Sequence, residues 1–315
     1  MRALVTGGNG FVGQYLCAAA RERGYDVVVA GRSTDLQDVD LPLDLSDLEN
    51  VRGVVEAARA DIIMHLAAQA FVPAATRDPL DTYETNVLGT ARLYEALRQS
   101  ELRPLVLFVS SAEVYGAQEA QAYPLRETAP LHPMTPYAAS KAGGEAIALA
   151  SERTYGIPTI VTRAFNHIGP GQAEHFAVPS FAFQLAAIAA GAPPAMLVGN
   201  LEAQRDFLDV RDVVQAYLDL IERGARGEIY NVCSGQPVRL AEVLRRLITI
   251  AHLAVEVRDD PARLRPSDVP LSYGDPSKVR DVVGWQPTRS LDDSLRDVYA
   301  DARERVSAGT PASTP

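Results

Sequence analysis

Through the first half of the chain, short β-branched runs alternate with longer segments rich in Ala, Leu and Arg, and that rhythm leaves few folds open. The runs are Ala3–Val5, Asp26–Ala30, Ile62–Leu66, Leu105–Ser110 and Thr159–Thr162. Between them, helices are predicted at about Phe11–Arg23, Leu48–Arg59, Pro79–Gln99 and Pro136–Tyr155. Strand–helix–strand units of this kind are right-handed and build a parallel sheet with helices on both faces. The expected fold class is therefore α/β, a doubly wound parallel sheet. After Asn166 the rhythm breaks. Gly169-Pro170-Gly171 and Gly191–Pro194 punctuate short helices, and Ile229–Val232 reads as one more strand returning to the sheet.

Composition narrows what such a sheet could serve. At 315 residues, 47% hydrophobic and 22% charged, the chain is long enough to bury a large core and reads as globular. Its formal charge of −10 argues against a nucleic-acid surface. The most apolar later stretch, Phe181 to Val198, is interrupted by Gln184, Gly191, Pro193 and Pro194, so no membrane span is expected. Ala3-Leu4-Val5 already reads as a buried strand, which leaves no secretory leader ahead of it. Cys17 and Cys233 have no metal-ligand spacing and are expected as buried thiols in a reducing cytoplasm.

Gly7-Gly8-Asn9-Gly10-Phe11-Val12-Gly13 follows the first strand directly and opens the first helix. Glycines there allow a tight turn and close backbone approach, so a pyrophosphate can rest on the helix N-terminus. At this junction the motif points to a dinucleotide-binding Rossmann sheet. Gly7, Gly10, Phe11, Val12 and Gly13 are its candidate contacts. At the end of the second strand, where an acid would hold a 2′-hydroxyl, the chain has Gly31, followed by Arg32 and Ser33. A missing carboxylate with an arginine and a hydroxyl favours NADP(H), while NAD(H) stays open. Asp44 and Leu45 suit the adenine edge, and the small residues of Leu66-Ala67-Ala68, with Gln69 after them, close the pyrophosphate side. The expected division is a dinucleotide domain of residues 1–165 plus 207–233. A smaller interwoven C-terminal lobe of residues 166–206 plus 234–306 would hold the substrate, and 307–315 would form a disordered tail.

The chain has 28 arginines and two lysines, and Lys141 stands four residues after Tyr137. An ammonium is a compact charge that can favour a phenolate, which a broad guanidinium does less well. Ser110-Ser111-Ala112-Glu113 ends the fourth strand, where ligands of open α/β sheets gather. Ser111, Tyr137 and Lys141 are therefore candidates to converge beside a nicotinamide. Tyr137 would donate a proton to a carbonyl oxygen, Lys141 would lower its pKa and bind the ribose, and Ser111 would hold the oxygen. Val109, just before the serine pair, joins the cofactor candidates. The other lysine, Lys278, reads as a solvated surface charge, and His167 as a packed or backbone-bonded histidine.

With these motifs in place, the chain resembles an extended short-chain dehydrogenase/reductase of the nucleotide-sugar epimerase/dehydratase type, over about Arg2 to Tyr299. The resemblance is carried by the glycine loop, His65-Leu66-Ala67-Ala68-Gln69, Asn86-Val87-Leu88-Gly89-Thr90, Ser-Ser-x-Glu-x-Tyr-Gly, Tyr-x-x-x-Lys and Gly284-Trp285-Gln286-Pro287. Within that family it is most similar to GDP-6-deoxy-4-keto-mannose reductases. The stretches in question are Arg163–Gln172, Val198–Phe207 and Tyr230–Gly235. The resemblance implies a GDP-sugar substrate and assigns Asn166, Arg205 and Arg265 to its diphosphate. It also sets Asp268 near the nucleoside, and Phe165 and Thr85 near the nicotinamide.

Glu113 leaves a second enzyme reading open. Related GDP-mannose 4,6-dehydratases carry a glutamate at the matching position as the base of the elimination. A C4 epimerase and a non-catalytic NADP-sensing regulator are weaker alternatives; the complete Ser/Tyr/Lys set speaks against the latter. Small residues along Pro136–Tyr155 allow close helix packing, and the resemblance implies a homodimer through this helix and its neighbour, Pro79–Gln99.

Overall fold

All six anticipated runs form strands, because each is a short stretch rich in apolar and β-branched residues. The computed structural model describes residues 1–32, 39–263 and 269–309. Ser33, Arg265 and Asp268 of the candidate site, and 310–315 of the expected tail, lie outside the described residues. The strands of the first part are β1 (Arg2–Thr6), β2 (Asp26–Gly31), β3 (Leu41–Pro42), β4 (Ile62–His65), β5 (Leu105–Ser111) and β6 (Thr159–Ala164). Then come β7 (Asn166–Ile168), β8 (Ala195–Val198), β9 (Gln204–Asp209) and β10 (Ile229–Val232). The last three are β11 (Pro237–Arg239), β12 (Glu256–Asp259) and β13 (Leu271–Ser272).

Seven strands pair in the order β10-β6-β5-β4-β1-β2-β3, every neighbour parallel. The order reverses between β1 and β4, which opens a crevice at their carboxyl ends. The doubly wound expectation is thus met. The strand β3 was not anticipated, since two residues carry no periodicity to read.

Helices α1 (Phe11–Glu22), α2 (Leu48–Ala58), α3 (Val72–Arg77), α4 (Pro79–Tyr83), α5 (Gly89–Gln99) and α6 (Pro136–Tyr155) flank the sheet. The segment expected as one helix, Pro79–Gln99, is instead three pieces, with a π turn over Glu84–Leu88 between α4 and α5. That wider turn carries Asn86, whose amide is fully engaged, as described below. One core lies on the α1 side of the sheet, with Val5, Leu16 and Met64 at its centre. The other lies on the side of α2, α5 and α6, around Leu4, Ile63 and Phe108.

Past Asn166, β7, β9, β11 and β13 form a second small sheet, and β8 pairs with β12. Helices α7 (Ala177–Ala189), α8 (Val210–Arg223), α9 (Leu240–Ala251), α10 (Ser277–Val283) and α11 (Leu291–Ser307) complete the chain. Apolar faces of α7, α9 and α11 close a separate core around Phe181, Leu185, Leu244, Leu247, Leu295 and Val298. Ser307, taken as the start of the tail, is the last residue of α11. Helix α10 and Trp285 pack instead on the main core, where Trp285 Nε1 donates to Asp212 O at 3.0 Å. Lys278 on α10 is not merely solvated. Its ammonium pairs with Glu228 at 2.7 Å, donates to Ile229 O at 2.7 Å and lies over the Tyr230 ring. It staples α10 to the edge strand β10, because a sheet edge offers an unpaired carbonyl. Among the described residues, no helix is long and apolar enough to cross a membrane.

Candidate active site

Close packing of the glycine loop comes first, since it fixes the crevice. Gly7 sits at φ +72, and a Cβ there would stand 2.8 Å from Ala67 N. A Cβ on Gly13 would stand 2.3 Å from Gly7 O, so only glycine lets the loop and α1 meet this closely. Gly10 caps α1 without a side-chain bond, leaving first-turn N–H groups toward the cavity. A backbone cradle with open donors at a helix N-terminus fits the pyrophosphate of a dinucleotide.

The cavity that begins at this loop has a volume of about 1590 Å3 and runs into the second lobe. Ligand pockets for one small molecule usually occupy ~300–1,000 Å3, so there is room for a dinucleotide beside a second ligand. Every described candidate lines it. From the dinucleotide side come Gly7, Gly10, Phe11, Val12, Gly13, Arg32, Asp44, Leu45, Leu66, Ala67, Ala68, Gln69, Thr85 and Val109. Ser111, Glu113, Tyr137, Lys141 and Phe165 line it as well, as do Asn166 and Arg205.

The catalytic candidates are held by local chemistry. Thr135 caps α6, its hydroxyl accepting from Ala138 N at 3.1 Å, with Pro136 at the first helical position. That start fixes Tyr137 near the end of β5, where it lines the cavity together with Ser111. Ser140 Oγ donates to Tyr137 O at 2.7 Å and accepts from Asn86 Nδ2 at 2.8 Å. Asn86 also exchanges two bonds with the backbone of Gln69, which ties α6 to the loop after β4. The Gln69 amide is spent on Phe71, donating to its carbonyl at 3.1 Å and accepting from its N–H. Gln69 therefore shapes the loop. Asp44 does the same: its carboxylate accepts from the hydroxyl and N–H of Ser46, which holds it below the usual carboxylate range.

Burial dominates the Tyr137 phenol and pushes it up to about 12, with the charge of Glu113 adding to the rise and the Ser111 hydroxyl opposing it. Lys141 donates to Val109 O at 2.8 Å. Its burial brings the ammonium down to about 8, with Glu145 one turn further along α6 opposing. A lysine with a depressed pKa binds fewer protons folded than unfolded between about 8 and its ordinary 10.5. The penalty for burying the charge is then full below pH 8 and shrinks as the pH rises through that window. Lys141→Met is therefore expected to raise the melting temperature at pH 7, with the gain narrowing toward pH 10. A lower melting temperature at pH 7 contradicts this.

His65 is buried, pushed down to about 3, and bonds Thr6 Oγ1 at 2.8 Å and Thr90 Oγ1 at 3.3 Å. It is a neutral structural link. His167 stacks on Phe11 and bonds Phe165 O at 3.0 Å, as a packed histidine should. Among the described residues no group of three or more His, Cys, Asp or Glu is disposed to hold a metal.

The family model described as GDP-mannose 4,6 dehydratase matches residues 4–298. The chain belongs to this family. Relatives within it differ in chemistry. GDP-6-deoxy-D-mannose reductase of Pseudomonas aeruginosa is 38% identical over 97% of this chain and 98% of its own length. GDP-6-deoxy-D-talose 4-dehydrogenase of Aggregatibacter actinomycetemcomitans is 32% identical over 90% of this chain and 92% of its own. The solved structure of RMD from Pseudomonas aeruginosa complexed with NADPH superposes with a TM-score of 0.88 at 36% identity, covering 96% of this chain and 99% of that one.

Sequence reasoning missed several residues of this family site. Asn9, His175, Phe176, Asn200 and Arg263 also line the cavity. Phe71, from the loop after β4, has its ring centroid 4.0 Å from that of His175, in the loop after β7, so the two halves touch beside the cavity that His175 lines. Nothing in the sequence spacing of 71 and 175 announces that contact. Arg263 donates to Asp260 and to Ser180 Oγ, at 3.2 and 3.1 Å.

Proposed function

We propose that the chain is an NAD(P)H-dependent oxidoreductase that reduces the C4 ketone of GDP-4-keto-6-deoxy-D-mannose to a GDP-6-deoxyhexose, GDP-D-rhamnose in the first instance. The observation that carries this reading is the Tyr137 phenol, pushed up to about 12 and so kept protonated, lining with Ser111 and Lys141 the cavity that the glycine loop opens. The glycine loop would hold NADPH, which would supply the hydride when bound; Arg32 and the lack of a carboxylate at Gly31 favour it over NADH. Tyr137 gives its proton to the carbonyl oxygen while Ser111 holds that oxygen in place. Lys141, charged below about pH 8, stabilises the phenolate left behind. Thr85 and Phe165 border the reacting end, and Asn166 and Arg205 face the diphosphate, for which a guanidinium fork is well shaped. In this reading, residues 1–165 with 207–233 hold the cofactor, and 166–206 with 234–306 hold the sugar nucleotide. Support for the substrate comes from the reductase named among the relatives.

Glu113 supports one competing reading, GDP-mannose 4,6-dehydration, because it lines the same cavity and its charge acts on Tyr137. Product mass separates the two. Reduction adds two hydrogens to the keto sugar; dehydration removes water from GDP-mannose and leaves the cofactor unchanged. A keto sugar recovered unchanged in the presence of NADPH contradicts the reductase.

We also propose a homodimer through Pro79–Gln99 and Pro136–Tyr155, in the cytoplasm, where Cys17 and Cys233 remain buried free thiols. Leu80, Leu88 and Tyr155 on these segments are 76%, 47% and 51% exposed, which a second copy would cover. Light scattering is expected to give twice the chain mass, and Leu80→Asp with Leu88→Asp a monomer. A wild-type monomer at micromolar concentration contradicts the dimer.

A further inference from the structure

The end of β2 holds a determinant of cofactor choice that no strand-end motif contains. Gly31 is the buried last residue of β2. A Cβ built on it lies 2.6 Å from Asn9 Oδ1, 3.1 Å from Asn9 Cγ and 3.4 Å from Asn9 Nδ2. Any side chain at position 31 therefore runs into the Asn9 amide. The loop that carries Asn9 is sewn down on both sides. Gly7 N donates to Ala30 O at 2.7 Å, Gly10 N to Gly7 O at 3.0 Å, and Gln14 Nε2 to Asn9 O at 3.2 Å. Relief is left to rotation of the Asn9 amide, and because Asn9 borders the cavity, a displaced amide would take up room at that end of it.

We propose that Asn9 and Gly31 act as a coupled specificity pair. The Asn9 amide fills the space a carboxylate at position 31 would need to reach a ribose 2′-hydroxyl, and so keeps that end of the cavity open for a 2′-phosphate beside Arg32. The pair rests on the reading of this cavity as a dinucleotide site. It implies that the acid which marks NAD sites cannot simply be added here. Gly31→Asp brings a charge that repels the phosphate, yet its path to the hydroxyl stays blocked while Asn9 remains.

The test reads binding by the fluorescence of the reduced cofactor, without turnover. If the wild-type chain binds neither NADPH nor NADH, the dinucleotide reading falls and the pair with it. If it binds, four variants decide the coupling. Gly31→Asp is expected to weaken NADPH about tenfold or more and leave NADH no tighter, whereas Asn9→Ala/Gly31→Asp binds NADH about tenfold more tightly than Gly31→Asp, the size of a hydrogen bond to a charged group. Equal NADH affinity in those two variants overturns the pair. Gly31→Ala adds only the Cβ and guards against misfolding of the acid variant. Its melting temperature is expected to fall, and to recover in Asn9→Ala/Gly31→Ala. No recovery overturns the contact.

Discussion

Tyr137→Phe is expected to lower turnover about 10²- to 10⁴-fold, the range that a positioned proton donor contributes, while cofactor affinity stays near the wild-type value. The phenylalanine ring fills the same half-buried position, so packing is kept and only the hydroxyl and its proton are lost. The pH profile carries further information. With the phenol pushed up to about 12, Tyr137 stays protonated through the neutral range, and its own titration leaves the rate flat there. Lys141 loses its charge as the pH rises through about 8. The rate is therefore expected to decline above pH 8, through the lysine. Full activity in Tyr137→Phe would remove the proposed proton donor.

The largest stability effect is expected at Arg163. Arg163 and Glu145 pair at 2.7 Å with both side chains 3% exposed. Ser110 Oγ donates to the same carboxylate, and Arg163 Nη1 donates to Tyr115 Oη and Glu127 O, both at 3.0 Å. The network joins β5, β6 and α6 directly beneath Ser111 and Lys141. Arg163→Met leaves a buried carboxylate unpaired, and such a loss costs about 3–5 kcal/mol. Denaturant unfolding checks it. The double variant Glu145→Gln/Arg163→Met is expected to cost less than Arg163→Met alone, because no buried charge is stranded. A cost below about 1 kcal/mol for Arg163→Met would mean the pair behaves like a surface ion pair.

Much of the active-site geometry was legible because it is local. Tyr137 and Lys141 are one helical turn apart, and the glycine loop is contiguous with the strand and helix it joins, so spacing alone brings each set together. The central strands were legible for a different reason: strands buried on both faces read as unbroken apolar runs. What escaped was set by tertiary packing. The Asn9–Gly31 contact spans a loop and a strand end. The Arg163–Glu145 pair joins a strand to a helix, and neither arginine nor glutamate at those positions differs in sequence from a surface charge. Lys278 was misread for the same cause, since its acceptor is the backbone of a sheet edge visible only once β10 is placed. The rise of the Tyr137 pKa escaped for a related reason, since it comes from burial that exists only once α6 is docked beside β5.

The measurement that bears most directly on the account is absorbance at the reduced-nicotinamide band, with purified protein, NADPH and GDP-4-keto-6-deoxy-D-mannose, and NADH in parallel. The account predicts loss of absorbance stoichiometric with ketone consumed, and faster with NADPH than with NADH. No oxidation with either cofactor, together with conversion of GDP-mannose to a keto sugar without net cofactor change, would contradict it and give Glu113 the central role.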